Sequence, residues 1–172
     1  LLGLSPWMRQ LDAAQHERMR QDLVERRVDC GGFVCRKGEP VDHWIGVVDG
    51  LVKISNVSTR GKAVTFTGIA PGGWFGEGSM LKDEPRRYDA VALRDSRIAC
   101  LPRPAFQWLL DTSIAFNRYL LIQLNERLGQ FIGTVEIDRL LGPDARVARC
   151  LAQMFNPLLY PGLDRKLEIS QG

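Results

Sequence analysis

An α+β chain, a shell of short strands followed by one long helix, is the fold the sequence predicts, and three observations predict it. Between Glu25 and Pro102 short apolar runs alternate with glycine corners at Gly31-Gly32, Gly38, Gly50, Gly61 and Gly72-Gly73, the texture of an all-β sandwich or barrel with tight turns. From Pro104 onward those corners stop and apolar residues recur at helical spacing. The composition, 45% apolar and 25% charged over 172 residues, supports one buried core without staples and is far from that of a disordered or fibrous chain.

At the start, Ser5-Pro6 reads as a helix opening, serine capping free amides and proline suiting the first turn, with a short polar helix over Leu11–Val24 whose Leu11, Met19 and Leu23 share a face. Strands are predicted near Phe33–Arg36, Trp44–Val48, Leu51–Asn56, Val64–Ile69, Tyr88–Leu93 and Arg97–Leu101. In "VDGLVKI", Asp49-Gly50 supplies the positive φ of a two-residue hairpin turn, and "STRGKAV" reads as a second hairpin tip. Thr112 or Ser113 can cap a helix running to Leu141, about 45 Å at 1.5 Å per residue. Gly142-Pro143 breaks it, Asp144 restarts it, and "ARVARCLAQMF" continues to Asn156-Pro157. These breaks divide the chain into 1–111, 112–141 and 142–172.

Along the long helix Leu121, Leu128 and Val135 recur every seven residues, with Leu124 and Phe131 offset by three, which is a heptad seam. Phe116, Leu120, Ile132 and Leu140 form a second apolar face. A seam can lie on the β domain, but two faces call for two partners, the domain and a parallel copy of the same helix. Gly129 and Gly133 would allow a close approach at a cost of about 1 kcal/mol each in helix propensity.

Several function classes are poorly supplied. With only His16 and His43, a histidine-based metal site of the β-barrel oxygenase type lacks ligands. No GxSxG frames a serine, and neither GxxxxGK[ST] nor GxGxxG stands between a strand and a helix. The chain therefore reads as a non-enzyme. Cys30, Cys35, Cys100 and Cys150 form no CxxC pair and read as thiols of a reducing, cytoplasmic protein, although Cys30 and Cys35 could also meet across a turn. No apolar run reaches the roughly 18 residues of a membrane span, so no membrane partner is expected. A net charge of +3 permits an anionic partner without requiring one.

The stretch "GWFGEGSM" carries the densest chemistry. Gly76 and Gly78 let backbone amides face an opening, a turn of helix beginning near Gly78 adds its N-terminal amides, and Arg86 or Arg87 can fork a phosphate. Glu77 suits a sugar hydroxyl or balances an arginine. The same residues also fit a simpler role, a Glu–Arg ion pair bracing a glycine-rich turn.

Taken together, "RKGEPVDHWIGVVDGLVKI", "WFGEGSMLKDEPRRYDAVAL", the long helix and "ARVARCLAQMF" resemble the Crp/Fnr family of bacterial transcription regulators, with its cyclic-nucleotide-binding fold. The resemblance implies a jelly-roll-like β-roll, a homodimer paired through Leu121, Leu124, Leu128, Phe131 and Val135, and an effector site at Gly76, Glu77, Gly78, Ser79, Arg87 and Tyr88. Glu77 would meet a ribose hydroxyl and Arg87, ten residues on, the cyclic phosphate. DNA, through a winged helix-turn-helix begun by "LEISQG", RNA polymerase and a small-molecule effector such as cyclic AMP are the partners it implies. Three departures stand out: Tyr88 and Asp89 follow the arginine where the family has a small residue, and Phe131-Ile132 replace the Thr-Ser that faces adenine. They point to another effector, such as an apolar or aromatic acid, or to a self-filled pocket. The iron–sulfur sensors' N-terminal cysteine cluster is also missing. A regulatory module on a kinase or channel is the alternative reading.

Overall fold

The structure, a computed structural model, describes residues 5–161 except 59, 60, 62, 141, 154 and 160. Its first helix, α1 (Ala13–Asp22), is opened by Asp12 and not by Ser5. The Asp12 carboxylate accepts from the Gln15 amide at 2.8 Å while the Gln15 side chain accepts from the Asp12 amide at 3.3 Å, a reciprocal capping box that satisfies two orphan donors. Ser5 instead accepts the Trp74 indole N–H at 2.9 Å, and Ser5-Pro6 leads into a single 3₁₀ turn at Met8–Gln10.

Among the described residues eight antiparallel strands follow: β1 (Val24–Val28), β2 (Phe33–Cys35), β3 (His43–Asp49), β4 (Val52–Val57), β5 (Ala63–Ile69), β6 (Trp74–Phe75), β7 (Asp89–Ala92) and β8 (Ser96–Pro102). They form two sheets ordered β1-β8-β3-β6 and β2-β7-β4-β5. The six expected strands lie within one residue of these bounds. β1 and the two-residue β6 were not anticipated; Val24, where the first helix was expected to end, already pairs with Cys100.

The β3–β4 connection is a correction. β3 and β4 belong to different sheets, so Asp49-Gly50 is a corner between layers and not a hairpin turn. Gly50 does hold φ +98°, and a Cβ there would lie 2.1 Å from the Ser96 hydroxyl oxygen. Gly50→Ala is expected to cost about 1–3 kcal/mol, read by urea unfolding; a change within about 0.5 kcal/mol would remove the corner's special role. The β4–β5 connection is the hairpin, with Val57 opposite Ala63 and the Gly61 amide donating to Ser58 at 2.9 Å.

β3 is buried on both faces, which explains its near-continuous apolar run. Ile45 and Val47 point between the sheets toward Ile54, Ile69, Phe75 and Ile98, while Trp44 and Val48 point outward. Outside, Trp44 meets Trp74 (4.4 Å between ring centroids), Trp7, Phe106 and Phe116, and this aromatic cluster fixes the helices to the first sheet. Cys30, Cys35 and Cys100 are free thiols, so Cys30 and Cys35 are not bridged.

The long helix starts at its expected cap, and a helix that was given no bounds of its own precedes it. α3 (Arg103–Thr112) buries Ala105, Phe106 and Leu109, and α4 (Ile114–Leu140) begins where the Ser113 hydroxyl accepts from the Phe116 amide. α4 buries Phe116, Tyr119, Leu120 and Gln123 against the roll. Ile132, assigned with Phe116 and Leu120 to one apolar face, is exposed, beyond the Phe116–Gln123 stretch that α4 buries against the roll; a further helix, α5 (Pro143–Gln153), follows. A Cβ on Gly133 would sit 2.8 Å from the Arg149 guanidinium, so Gly133 provides the expected close approach; a Cβ on Gly129 would meet open space. α5 starts at Pro143 itself, which needs no amide in a first turn. Beyond it Asn156 donates to Glu126 at 2.9 Å, and Leu159 inserts into the core between the sheets. The side chains at 137–140, including Leu140 of the second face, and the stretch "LEISQG" lie outside the described residues. No helix among the described residues is long and apolar enough to cross a membrane.

Candidate functional site

The glycine turn forms one wall of a pocket of about 240 Å³ between the roll and α4. Gly76 caps a short helix, α2 (Glu77–Lys82), with φ +93°, a left-handed conformation that suits glycine alone. Space forces the same choice, since a Cβ on Gly76 would lie 2.3 Å from the Arg86 guanidinium. Gly78 has neither constraint: it lies within the first turn of α2, which begins at Glu77 and not at Gly78, and nothing stands within 4 Å of an added Cβ. Ser79, Arg87 and Tyr88 line the same pocket, so the six effector-site residues read from the sequence come together in space.

Glu77 is 3% exposed. Its Oε1 lies 2.9 Å from Arg127 Nε on α4, and Arg127 also donates to the Trp74 carbonyl. Its Oε2 is buried without a hydrogen-bond partner among the described residues. A Glu–Arg pair therefore does brace the glycine turn, but its arginine comes from the long helix and not from the Arg86-Arg87 pair. Sequence reasoning missed Arg127. The available signal was an arginine at i+4 from the buried Gln123, on the side of α4 that meets the roll.

The two adjacent arginines separate as neighbours on an extended chain must. Arg86 is 5% exposed; its amide and carbonyl pair with Glu39 and Gly38, and its Nη2 donates to the His43 carbonyl at 2.6 Å. Arg87 is exposed at the pocket mouth, with Nε 2.9 Å from Glu84. Asp89 turns away from the pocket and accepts from the Lys37 amide at 2.9 Å. The Tyr88 hydroxyl is pushed well above the ordinary tyrosine range by burial first and then by the Glu77 charge, so it stays a neutral donor. From α4 the pocket receives Leu124 and Arg127, whereas Phe131 and Ile132, expected opposite the effector, are exposed and absent from its wall.

The pocket thus holds three cations, Lys82, Arg87 and Arg127, against two carboxylates, Glu77 and Glu84. Its volume falls below the roughly 300–1,000 Å³ usual for small-molecule sites, with Tyr88 and the Glu84–Arg87 pair taking up room. That exposed pair contributes about 0–1 kcal/mol at most, so an entering anion can draw Arg87 away at little cost. Among the described residues no cluster of His, Cys, Asp and Glu could hold a metal ion.

Residues 25–113, more than half of the chain, match the family described as Cyclic nucleotide-binding domain. The cyclic nucleotide-gated potassium channel mll3241 of Mesorhizobium japonicum is 28% identical over 113 residues, covering 66% of this chain and 30% of the channel. Transcriptional regulator SdrP of Thermus thermophilus is 40% identical over 63 residues, covering 37% of this chain and 31% of the regulator. The sensor domain of the transcriptional regulator DNR from Pseudomonas aeruginosa superposes with a TM-score of 0.65 at 24% identity, over 74% of this chain and 85% of that domain, a likeness of fold. The chain spans about a third of the length of these curated relatives.

Proposed function

We propose that this chain, which belongs to the cyclic nucleotide-binding domain family, is the sensory part of a DNA-binding transcription regulator and takes a small phosphate-bearing effector into the pocket at Gly76–Ser79. The observation that carries this reading is the buried, unpartnered Oε2 of Glu77 at the glycine turn. A lone buried carboxylate oxygen is costly unless something donates to it, and a sugar hydroxyl does so while α2 and Arg87 meet the phosphate. Because the other Glu77 oxygen holds Arg127, an effector that competes for Glu77 acts directly on α4. Such differential contact is what shifts a population between two arrangements of the helix.

The output is read through pairing of α4 with a second copy. Leu121 and Phe131 are 69% and 66% exposed, and Leu128 is also exposed, while Leu124 and Val135 are partly buried. Covering such a stripe with its own copy removes it from water. Two DNA-reading modules would then stand about 34 Å apart, one helical turn of DNA, with RNA polymerase as a downstream partner. Similarity to a transcription regulator supports a non-enzyme, and the free thiols Cys30, Cys35 and Cys100 suit a cytoplasmic setting. The extent of similarity to the channel, 66% of this chain, favours a second reading, a module serving an output other than DNA.

Titration calorimetry with cyclic AMP and cyclic GMP tests the effector reading, with micromolar binding expected for one of them. No heat with either would overturn it. Light scattering is expected to give a two-chain mass at micromolar concentration, falling to one chain in the Leu128→Lys, Phe131→Lys double variant. A one-chain mass for the unaltered protein would exclude the helix pairing. Salt-sensitive, effector-dependent DNA binding by the whole protein separates the two outputs.

A further inference from the structure

A second cavity, of about 330 Å³, opens where the edge strands β1 and β2 of the two sheets face each other. It shares no lining residue with the pocket at Gly76–Ser79. Its walls combine Val24, Val34 and Ile45 with the thiols of Cys35 and Cys100, and two guanidinium groups, Arg26 and Arg86, stand among them. Val24, Arg26 and Val28 alternate along β1, so Arg26 lies on the face whose Val28 packs against the core between the sheets, while Val24 and Arg26 themselves stay exposed at the cavity mouth.

Both arginines are tethered by neutral groups. Arg26 donates to the Val34 carbonyl and lines the cavity with the Cys100 thiol. Arg86 donates through Nη2 to the His43 carbonyl, while its buried Nη1 lacks a hydrogen-bond partner and rests against Gly76. Among the described residues neither arginine has a carboxylate within ion-pair distance. The one lining carboxylate among them, Asp42, belongs to an exposed residue. Burial raises the pKa of both thiols above the ordinary cysteine value, which keeps them neutral, so no thiolate offsets the positive charge. Arg26 is exposed at the cavity mouth, so the unbalanced charge within is that of Arg86, 5% exposed, and a buried guanidinium without a counter-charge is costly.

The geometry points to a second ligand site here, for a small monocarboxylate with an apolar body. A guanidinium fork matches a carboxylate, and the aliphatic and thiol walls match an apolar body. An inorganic oxyanion would give up far more hydration than two partly occupied guanidinium groups replace. The site is independent of the pocket at Gly76–Ser79 and stands whether or not that pocket takes a nucleotide.

The test uses the full chain with benzoate as probe. Calorimetry is expected to show saturable binding with Kd below about 1 mM, weakened at least about tenfold by Arg26→Gln through loss of a charge-assisted bond and unchanged by Arg87→Ala. In the unaltered protein saturating benzoate should also raise the thermal midpoint, a readout that does not depend on any variant folding. Absence of binding, loss of binding in Arg87→Ala, or a thermal midpoint that saturating benzoate leaves unchanged would each overturn the site. Inorganic phosphate binding as tightly as benzoate would overturn its assignment to an apolar carboxylate.

Discussion

Arg127→Ala is expected to lower stability by about 3 kcal/mol, the lower end of the range for breaking a buried ion pair. Glu77 is 3% exposed while water reaches Arg127, whose side chain is 24% exposed. Removing the guanidinium strands a buried carboxylate whose other oxygen already lacks a partner, and it removes the donor that ties α4 to the Trp74 carbonyl. For a chain of this length the thermal midpoint should fall by about 6–12 °C. Glu77→Gln should recover part of that loss when added to Arg127→Ala, because the stranded charge is gone. The double-mutant cycle therefore separates the pair from ordinary packing. A fall of less than about 2 °C in Arg127→Ala would show that solvent already screens the pair.

The ease with which parts of this fold could be read follows from what each element displays in one dimension. Strands bounded by glycine corners were placed within one residue because their flanks break the pattern sharply. β1 was missed because its sequence, Val-Glu-Arg-Arg-Val, offers two valines among three charges, and four of its five residues are exposed. The corner at Gly50 shows the limit of local rules: its backbone conformation was legible, but which sheet the following strand joined depends on pairing with distant β7 and β5. The start of α4 was legible because Ser113 offers a cap there, whereas α3, which ends one residue before it, carries no cap side chain of its own and was given no bounds.

The site divides in the same way. The Gly-Glu-Gly turn is contiguous, so its members could be named, and the structure sets Arg87 and Tyr88 beside it. Arg127 lies 50 positions from Glu77 on an element searched for apolar repeats, and only the packing of α4 on the roll brings the two together. Which arginine of the pair faces the pocket depended on strand phase, since one residue of slip reverses every side chain. The amide and carbonyl of Arg86, paired with Glu39 and Gly38, fix that phase.

That phase gives opposite signs to two substitutions at the pocket mouth. Arg87→Ala should weaken cyclic nucleotide binding by about 10- to 100-fold, corresponding to the loss of a charge-assisted contact of about 1.5–3 kcal/mol. Glu84→Ala should strengthen it, by up to about fivefold, because Arg87 no longer has to leave an exposed partner whose hold is worth up to about 1 kcal/mol. Arg86→Lys would instead disturb the buried contacts with His43 and Gly76, and should lower stability more than it changes affinity corrected for the folded fraction. Calorimetry on the three variants, each with its unfolding curve, reads all of these effects. If Arg86→Lys abolished binding in folded protein while Arg87→Ala left it intact, the phosphate contact would belong to Arg86, and the strand would have to turn in the bound state. If instead Arg87→Ala weakens binding and Glu84→Ala strengthens it, the exposed pair is a gate that the effector's own charge opens.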